Sequence, residues 1–193
     1  MGQYYNAVLK DKGGNFHSYY STNGLKLMEH SWFLNDFVNE VCKKILNNPS
    51  QVAWVGDYAE PNDFEEKLHQ FIDNRNNFEL GLSSKDNFNC LGLCLVNEDD
   101  KTYIDMTHYY NLSIKNNEYF DDWVIHPLPL LTAMGNGLGG GDYRGINEDL
   151  IGVWAGETIQ LLDLGVLYSE DYERYKKFRE EYKDITKEII FRE

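Results

Sequence analysis

The apolar positions of the first fifty residues alternate with polar ones and then change to a helical spacing. The stretches 3–9 and 16–20 alternate and are separated by Gly13-Gly14-Asn15, which predicts a β-hairpin. From 33 to 46, apolar residues recur three and four positions apart, which predicts an amphipathic helix. We expect Ser31 to cap this helix and its wide apolar stripe to lie on a sheet.

The middle of the chain shows the same two periods. The short apolar run 52–55 predicts a strand, and the pattern over 62–72, which opens with a capping-box spacing, predicts a second helix. The stretches 91–96 and 102–109 alternate on either side of an acidic turn, which predicts a second hairpin. The polar stretch 111–122 predicts irregular structure.

The C-terminal third completes the expected fold. The apolar stretch 150–162 predicts a strand with Trp154 facing inward, and Ser169 is expected to cap a final helix. Residues 183–193 fit either a continued helix or a strand. Because strands and helices do not alternate regularly, we predict an α+β fold, with a mainly antiparallel sheet and about three helices packed on it. The chain 1–193 is expected to form a single domain, with 169–193 as a candidate helical C-terminal extension.

The charge of the chain limits its partners. The 193 residues carry a formal net charge of −14 at pH 7. Nonspecific nucleic-acid binding needs cationic groups that neutralise phosphates, and anionic membranes attract basic surfaces, so we expect neither partner. The charge suits solvation, a basic protein partner or a divalent cation.

The cysteines and the N-terminus predict a cytoplasmic protein. The three cysteines, Cys42, Cys90 and Cys94, cannot all pair in disulfides. The N-terminus lacks the basic and apolar regions of a signal peptide, and no apolar run reaches membrane length. Cys42 adjoins the stripe of the first helix and is expected to be a small buried hydrophobe. Cys90 and Cys94 are four positions apart without a second pair, so no zinc site is predicted.

The most unusual composition lies between Trp123 and Gly145. An apolar run containing Pro127 and Pro129 leads into a loop with five glycines in seven residues, followed by Asp142-Tyr143-Arg144. Glycines adopt positive φ without strain, so their N–H groups can converge on an anion, and an arginine can add a bidentate contact. The candidate ligand-binding residues are Gly137, Gly139, Gly140, Gly141, Asp142, Tyr143 and Arg144.

A small anionic or nucleotide-like ligand is therefore the first functional hypothesis. The loop has neither the Lys-Ser/Thr of a P-loop nor the helix that follows a dinucleotide-binding fingerprint. The alternative is a purely structural role, in which the glycines make a bulged connection between two buried segments. Trp123 and Trp154 flank the loop, as core residues or as platforms for a ring.

A second hypothesis is a metal-assisted hydrolase or transferase. Asp57 and Asp142 occur in two Gly-Asp-Tyr turns, and if the turns meet, their carboxylates would hold a divalent cation. His126 would move a proton, or would be a packed histidine whose ring N–H bonds to a carbonyl. These three residues are the catalytic candidates, and the two aspartates are the only metal candidates. Glu29-His30-Ser31 is either a second reactive cluster or a helix cap.

A third hypothesis is an acidic protein-interaction module. The excess of carboxylates would dock a basic host protein or mimic a polyanion, as phage-borne inhibitors do. A contiguous acidic face would favour this alternative, and evenly mixed charge would count against it.

Distinctive segments occur over most of the chain. They are Gly2-Gln-Tyr-Tyr, Gly24-Leu-Lys-Leu-Met-Glu-His-Ser31, Trp54-Val-Gly-Asp-Tyr-Ala59, Ile125-His-Pro-Leu-Pro-Leu-Leu-Thr-Ala133, Gly135-Asn-Gly-Leu-Gly-Gly-Gly-Asp-Tyr143 and Gly152-Val-Trp-Ala155. Together they resemble an uncharacterised protein family of Firmicutes genomes and their phages. The resemblance implies a mobile-element accessory protein and supplies no activity or catalytic residues.

Overall fold

The computed structural model describes residues 2–82, 88–115 and 123–192, apart from the side chains of 78–82. The strands are β1 (Tyr5–Lys10), β2 (Phe16–Ser21), β3 (Ser50–Gly56), β4 (Phe78–Leu82), β5 (Cys94–Asn97), β6 (Thr102–Asp105), β7 (Ala133–Met134), β8 (Thr158–Leu162) and β9 (Lys183–Asp184). The α-helices are α1 (Leu27–His30), α2 (Asp36–Lys44), α3 (Glu66–Asn74), α4 (Met106–Lys115), α5 (Pro127–Leu131), α6 (Leu164–Glu170) and α7 (Tyr172–Glu181). Short 3₁₀ helices cover Pro61–Asp63 and Glu148–Leu150.

One sheet contains these strands in the order β4-β2-β1-β3-β8-β5-β6-β9, and β7 pairs with β3 off this path. The β1–β2, β1–β3, β3–β8, β5–β8 and β5–β6 pairs are antiparallel, whereas β2–β4, β3–β7 and β6–β9 are parallel. The predicted α+β class, mainly antiparallel sheet and first hairpin are confirmed. The prediction of about three helices is wrong, because the described residues form seven α-helices. Several of these are only one or two turns long, too short to show a helical period in the sequence.

Strand β3 carries the core on both of its faces because successive side chains point to opposite sides. Val52 and Trp54 pack into a large cluster that includes the apolar face of α2. Ala53 and Val55 face the other way, into a smaller cluster with the apolar face of α3. The fully buried run of β3 therefore reflects a strand covered by a helix on each side.

The helix caps differ from those predicted. Asn35, not Ser31, caps α2, with its side chain accepting hydrogen bonds from the N–H groups of Phe37 and Val38. Helix α3 begins at Glu66, after a separate 3₁₀ turn over the predicted capping box. Asp163 caps α6 and Asp171 caps α7, so Ser169 lies inside α6 instead of starting the last helix. In α2, α6 and α7 an amide or carboxylate accepts the unpaired N–H groups of the first turn, whereas α3 has no side-chain cap.

Two predicted strands are shorter than their apolar patterns. The strand predicted over 102–109 ends at Asp105, whose Oδ1 accepts the N–H of His108 at 2.8 Å and starts α4. Helix α4 also replaces the irregular structure predicted for 111–115, while 116–122 lie outside the described residues. The strand predicted over 150–162 is a series of turns until β8 begins at Thr158, although Trp154 is buried as expected.

The C-terminal segment packs against the sheet. Phe178 of α7 contacts the ring of Tyr103 of β6, with centroids 5.3 Å apart. Beyond α7 the chain adds the short strand β9, and Ile189 and Phe191 enter the main core. Helix α7 ends at Glu181, so the helix does not continue through 183–192, and these residues contain a two-residue strand and an isolated bridge at Arg192.

The helices of the described ranges are short. None of them is long and apolar enough to cross a membrane.

Candidate functional site

The glycine-rich loop is held against the N-terminal strand by Asp142. Its Oδ2 accepts the N–H of Gly139 at 2.8 Å, and its Oδ1 lies 2.9 Å from the hydroxyl of Tyr5. The same hydroxyl lies 3.0 Å from Oε1 of Gln3. A hydroxyl has one proton, and the charged acceptor forms the stronger bond, so Tyr5 donates to Asp142. Asp142 thus closes the loop and ties it to β1.

Close packing explains several of the loop glycines. A Cβ at Gly139 would overlap the backbone and side chain of Gln3, and one at Gly135 would overlap the Tyr5 hydroxyl. Gly141 has φ +96° and lies against the stem of Lys26. Gly137, at φ +65°, has open space where a side chain would project. The glycines therefore serve mainly to bring the loop against 3–5 and Lys26, which is the structural alternative stated above.

Tyr143 belongs to the scaffold of the site. Its hydroxyl lies 2.6 Å from the carbonyl oxygen of Ile146 and accepts the N–H of Arg192 at 2.9 Å. Its ring meets Phe191 edge-on at 5.4 Å. The C-terminal tail thereby supports the far end of the loop, a role that no pattern in the sequence indicates.

Arg144 is exposed and already paired. Its Nη1 donates to Oε1 of Glu148 at 2.7 Å, and its Nη2 donates to the carbonyl oxygen of Gly137. The guanidinium spans the mouth of the loop, and its five N–H donors leave further donors for another acceptor.

A cavity of about 280 Å³ opens beside the loop. Four of the seven candidate ligand-binding residues line it, namely Gly137, Asp142, Tyr143 and Arg144, whereas Gly139, Gly140 and Gly141 do not. The remaining lining residues were not among these seven candidates, although Gly135 belongs to the predicted Gly135–Arg144 loop. These are Tyr5, Leu27, Phe64, Leu68, Ala133, Gly135, Glu148, Ile151, Gly152 and Ala155.

The cavity is lined by both polar and apolar residues. Asp142, Arg144, Glu148 and the Tyr5 hydroxyl supply the polar groups. Burial, with Asp142 as the next cause, raises the pKa of Tyr5 far above its ordinary value, so the phenol remains a proton donor. The arrangement suits a ligand with a flat apolar part and a few hydrogen-bonding groups.

Removing the Asp142 carboxylate is expected to destabilise the protein. Asp142→Ala breaks two charge-assisted hydrogen bonds and leaves the Gly139 N–H unpaired, so we expect a loss of about 3 kcal/mol of unfolding free energy. Urea-induced unfolding measures it. Arg144→Ala is the matched control, because its exposed pair with Glu148 is worth less than about 1 kcal/mol. Equal losses for the two variants would contradict the closing role of Asp142.

The three catalytic candidates make their described contacts with different partners. Asp57 is exposed, and its Oδ1 accepts the N–H of Tyr4 at 3.0 Å, a bond that joins the end of β3 to the residue before β1. His126 is fully buried and contacts two cysteines instead of the cavity. In the part of the chain that the structure describes, no group of three His, Cys, Asp or Glu residues is placed to bind a metal ion.

His126 joins a buried cluster that the sequence analysis missed. Its Nε2 lies 3.2 Å from Sγ of Cys90 and 3.7 Å from Sγ of Cys42. Cys42 lies on α2 and Cys90 precedes β5, and these three positions have no regular spacing that could reveal the cluster. A hydrogen bond from Cys42, and then the neighbouring His126, lower the pKa of Cys90, while the bond to Cys90 and burial raise the pKa of Cys42.

Glu29-His30-Ser31 is a structural element. Glu29 Oε2 accepts the N–H groups of Leu25 and Lys26, and Ser31 donates its hydroxyl to the carbonyl of Leu27. The buried His30 accepts the indole N–H of Trp54 at its Nε2, at 2.8 Å, and its Nδ1 lies 3.2 Å from the carbonyl oxygen of Gly24. Burial lowers the pKa of His30 from 6.5 to about 4, so the ring is neutral at physiological pH.

The cavity beside the loop and the Cys42–Cys90–His126 cluster are thus two separate features of the fold. Comparison of the chain with protein-family models, with curated proteins and with solved structures gave no match in any of the three.

Proposed function

We propose that the protein binds a small nucleoside-like ligand in the cavity beside the Gly135–Arg144 loop. The observation that carries this proposal is the cavity of about 280 Å³ and its mixture of polar and apolar lining residues. The site is built on strand β1 and on the end of β7, which are rigid elements, so its shape is formed before a ligand binds.

The size of the cavity limits the ligand. Pockets for small molecules usually have volumes from about 300 to 1,000 Å³, so this cavity, at about 280 Å³, lies just below that range. It suits a nucleobase with its sugar and is too small for a dinucleotide. A flat ring would pack between Phe64, Leu68 and Ile151, and the polar part would face Asp142 and Tyr5.

The charges of the lining residues narrow the class of ligand from the anionic one that the sequence suggested. The cavity has two carboxylates, Asp142 and Glu148, against one guanidinium, which already bonds to Glu148. A polyphosphate would be repelled by this balance, whereas sugar hydroxyls and base amino groups can donate to the carboxylates. The expected order of affinity is nucleoside, then monophosphate, then triphosphate.

Isothermal titration with adenosine, uridine and their mono- and triphosphates tests the proposal. We expect a saturable signal that weakens as phosphates are added. Phe64→Ala should weaken nucleoside binding about tenfold, since it removes a ring contact worth about 1.4 kcal/mol. Glu148→Gln should selectively strengthen the monophosphate, because it removes one negative charge and frees Arg144.

Arg174→Ala is the control for the charge changes, because Arg174 is exposed on α7 and does not line the cavity. It should leave every affinity unchanged. If no nucleoside or nucleotide gives a signal, or if Phe64→Ala binds as the unaltered protein does, the proposed function is wrong.

A further inference from the structure

Three segments far apart in the chain place two thiols around one imidazole nitrogen. Cys42 comes from α2, Cys90 from the segment before β5, and His126 from the residue that precedes α5. Both sulfurs lie within 3.7 Å of His126 Nε2, and both cysteines are reduced. The side chains of all three residues are buried. Phe33 packs on the imidazole, with ring centroids 4.8 Å apart.

The backbone fixes the tautomer of His126. The N–H of Leu128 in the first turn of α5 donates to His126 Nδ1 at 3.2 Å, so this nitrogen carries a lone pair. The ring proton of the neutral imidazole is therefore on Nε2, and it points at the sulfurs. Cys90, the nearer sulfur, accepts this proton in a hydrogen bond.

The same tautomer limits the chemistry of the cluster. A general base would need a lone pair on Nε2 and a proton on Nδ1, and that proton would face the Leu128 N–H. A metal ion at Nε2 would need the same change of tautomer. What the geometry provides is a donor that stabilises a thiolate at Cys90, with a second thiol in contact with it.

We propose that Cys90 and Cys42 form a peroxide-oxidisable thiol pair, in which Cys90 is the reacting thiolate and Cys42 the resolving thiol. His126 is a positioning residue that holds the Cys90 sulfur through Nε2–H. Redox-sensing thiolates elsewhere are stabilised by nearby positive or donor groups and often lie beside a resolving cysteine. Because this pair is buried, the oxidant is a small hydroperoxide such as hydrogen peroxide.

The reaction has two steps. The Cys90 thiolate attacks one peroxide oxygen, the O–O bond breaks, hydroxide leaves and Cys90 becomes a sulfenic acid. The Cys42 sulfur then attacks the Cys90 sulfur, an S–S bond forms, and the S–O bond breaks. The departing oxygen leaves as water with the Cys42 proton. The two sulfurs are oxidised together by two electrons, and the peroxide is reduced.

Peroxide oxidation of the folded protein, read by mass spectrometry of its peptides, tests the proposal. We expect a Cys42–Cys90 disulfide to form on the order of tenfold faster than any oxidation of Cys94. Cys94 is the internal control, because it is also buried but lies in another cluster, and burial raises its pKa to about 12. Cys42→Ser should accumulate a Cys90 sulfenic acid that dimedone traps, and Cys94→Ser should behave as the unaltered chain.

Two replacements of His126 separate its contact with sulfur from its place at the start of α5. His126→Gln offers an amide N–H near the former Nε2, and it should retain fast oxidation of Cys90. His126→Asn retains an acceptor for Leu128 N–H but lacks the donor to sulfur, so it should slow oxidation about tenfold while thermal unfolding shows a folded protein. Oxidation of all three cysteines at one rate, a disulfide that includes Cys94, or oxidation only in urea that unfolds the chain overturns the proposal.

Discussion

Acidification from pH 7 to pH 4 is expected to remove about 3 kcal/mol of unfolding free energy through His30 alone. The pKa of His30 is lowered to about 4 in the folded protein, from an ordinary value of 6.5. Below pH 6.5 the unfolded chain therefore binds a proton that the folded chain rejects. The contribution of the neutral ring is complete above pH 6.5 and is lost as the pH falls towards 4.

The physical cause is the position of His30 between Trp54 and Gly24. The lone pair of Nε2 accepts a hydrogen bond from the indole N–H of Trp54. Nε2 can therefore take up a proton only if this hydrogen bond breaks. Protonation would also place a charge in the largest apolar cluster, where Phe37 meets the imidazole edge-on at 5.3 Å.

Comparison of the unaltered protein with His30→Gln measures this contribution. Glutamine can accept the Trp54 N–H but does not titrate, so its unfolding free energy should fall by about 3 kcal/mol less between pH 7 and pH 4. His108→Gln, on the half-buried face of α4, is the matched control and should retain the acid dependence of the unaltered chain. If the unfolding free energies of all three proteins change in parallel with pH, His30 is not the source of the acid dependence.

Gly152→Ala is expected to lower the unfolding free energy by about 3 kcal/mol, through two separate effects. Gly152 has φ +77°, which costs an alanine about 1 kcal/mol. In addition, its new Cβ would overlap the carbonyl oxygen of Ala133, which is backbone at the edge of the sheet and cannot rotate away. The second effect accounts for about 2 kcal/mol.

Gly137→Ala separates the two effects, since Gly137 has φ +65° but open space around the added methyl group. We expect it to lose about 1 kcal/mol, and urea titrations followed by tryptophan fluorescence measure both variants. Both glycines line the cavity, so a comparable loss at the two positions would mean that the contact with Ala133 relaxes freely.

Local periodicity was sufficient for the elements that have a strong pattern. The first hairpin, the helix within 33–46 and the buried strand with Trp54 are all present, because each needs only its own alternation or helical stripe. Cap residues and element ends were predicted less well. Asn35 and Asp105 compete with neighbouring residues for the same unpaired N–H groups, and the sequence does not show which of them the backbone reaches.

The density of glycines led to the choice of this loop, because glycines can turn their N–H groups towards an anion. In the structure, however, Gly135, Gly139 and Gly141 have no room for a side chain, because Gln3, Tyr5 and Lys26 pack against them. The apolar residues that line the cavity include Phe64, Leu68 and Ile151, and no local pattern relates these residues to the loop.

By itself, the sequence determined the α+β class, the mainly antiparallel sheet and the location of an unusual loop, because alternation, helical period and glycine content are local properties. Only the tertiary structure decided what the reactive side chains contact. It brought His126 to Cys42 and Cys90, since strand order and helix packing set these distances. Contacts between residues 36 or 84 positions apart have no periodic signal in one sequence, so folding alone reveals them.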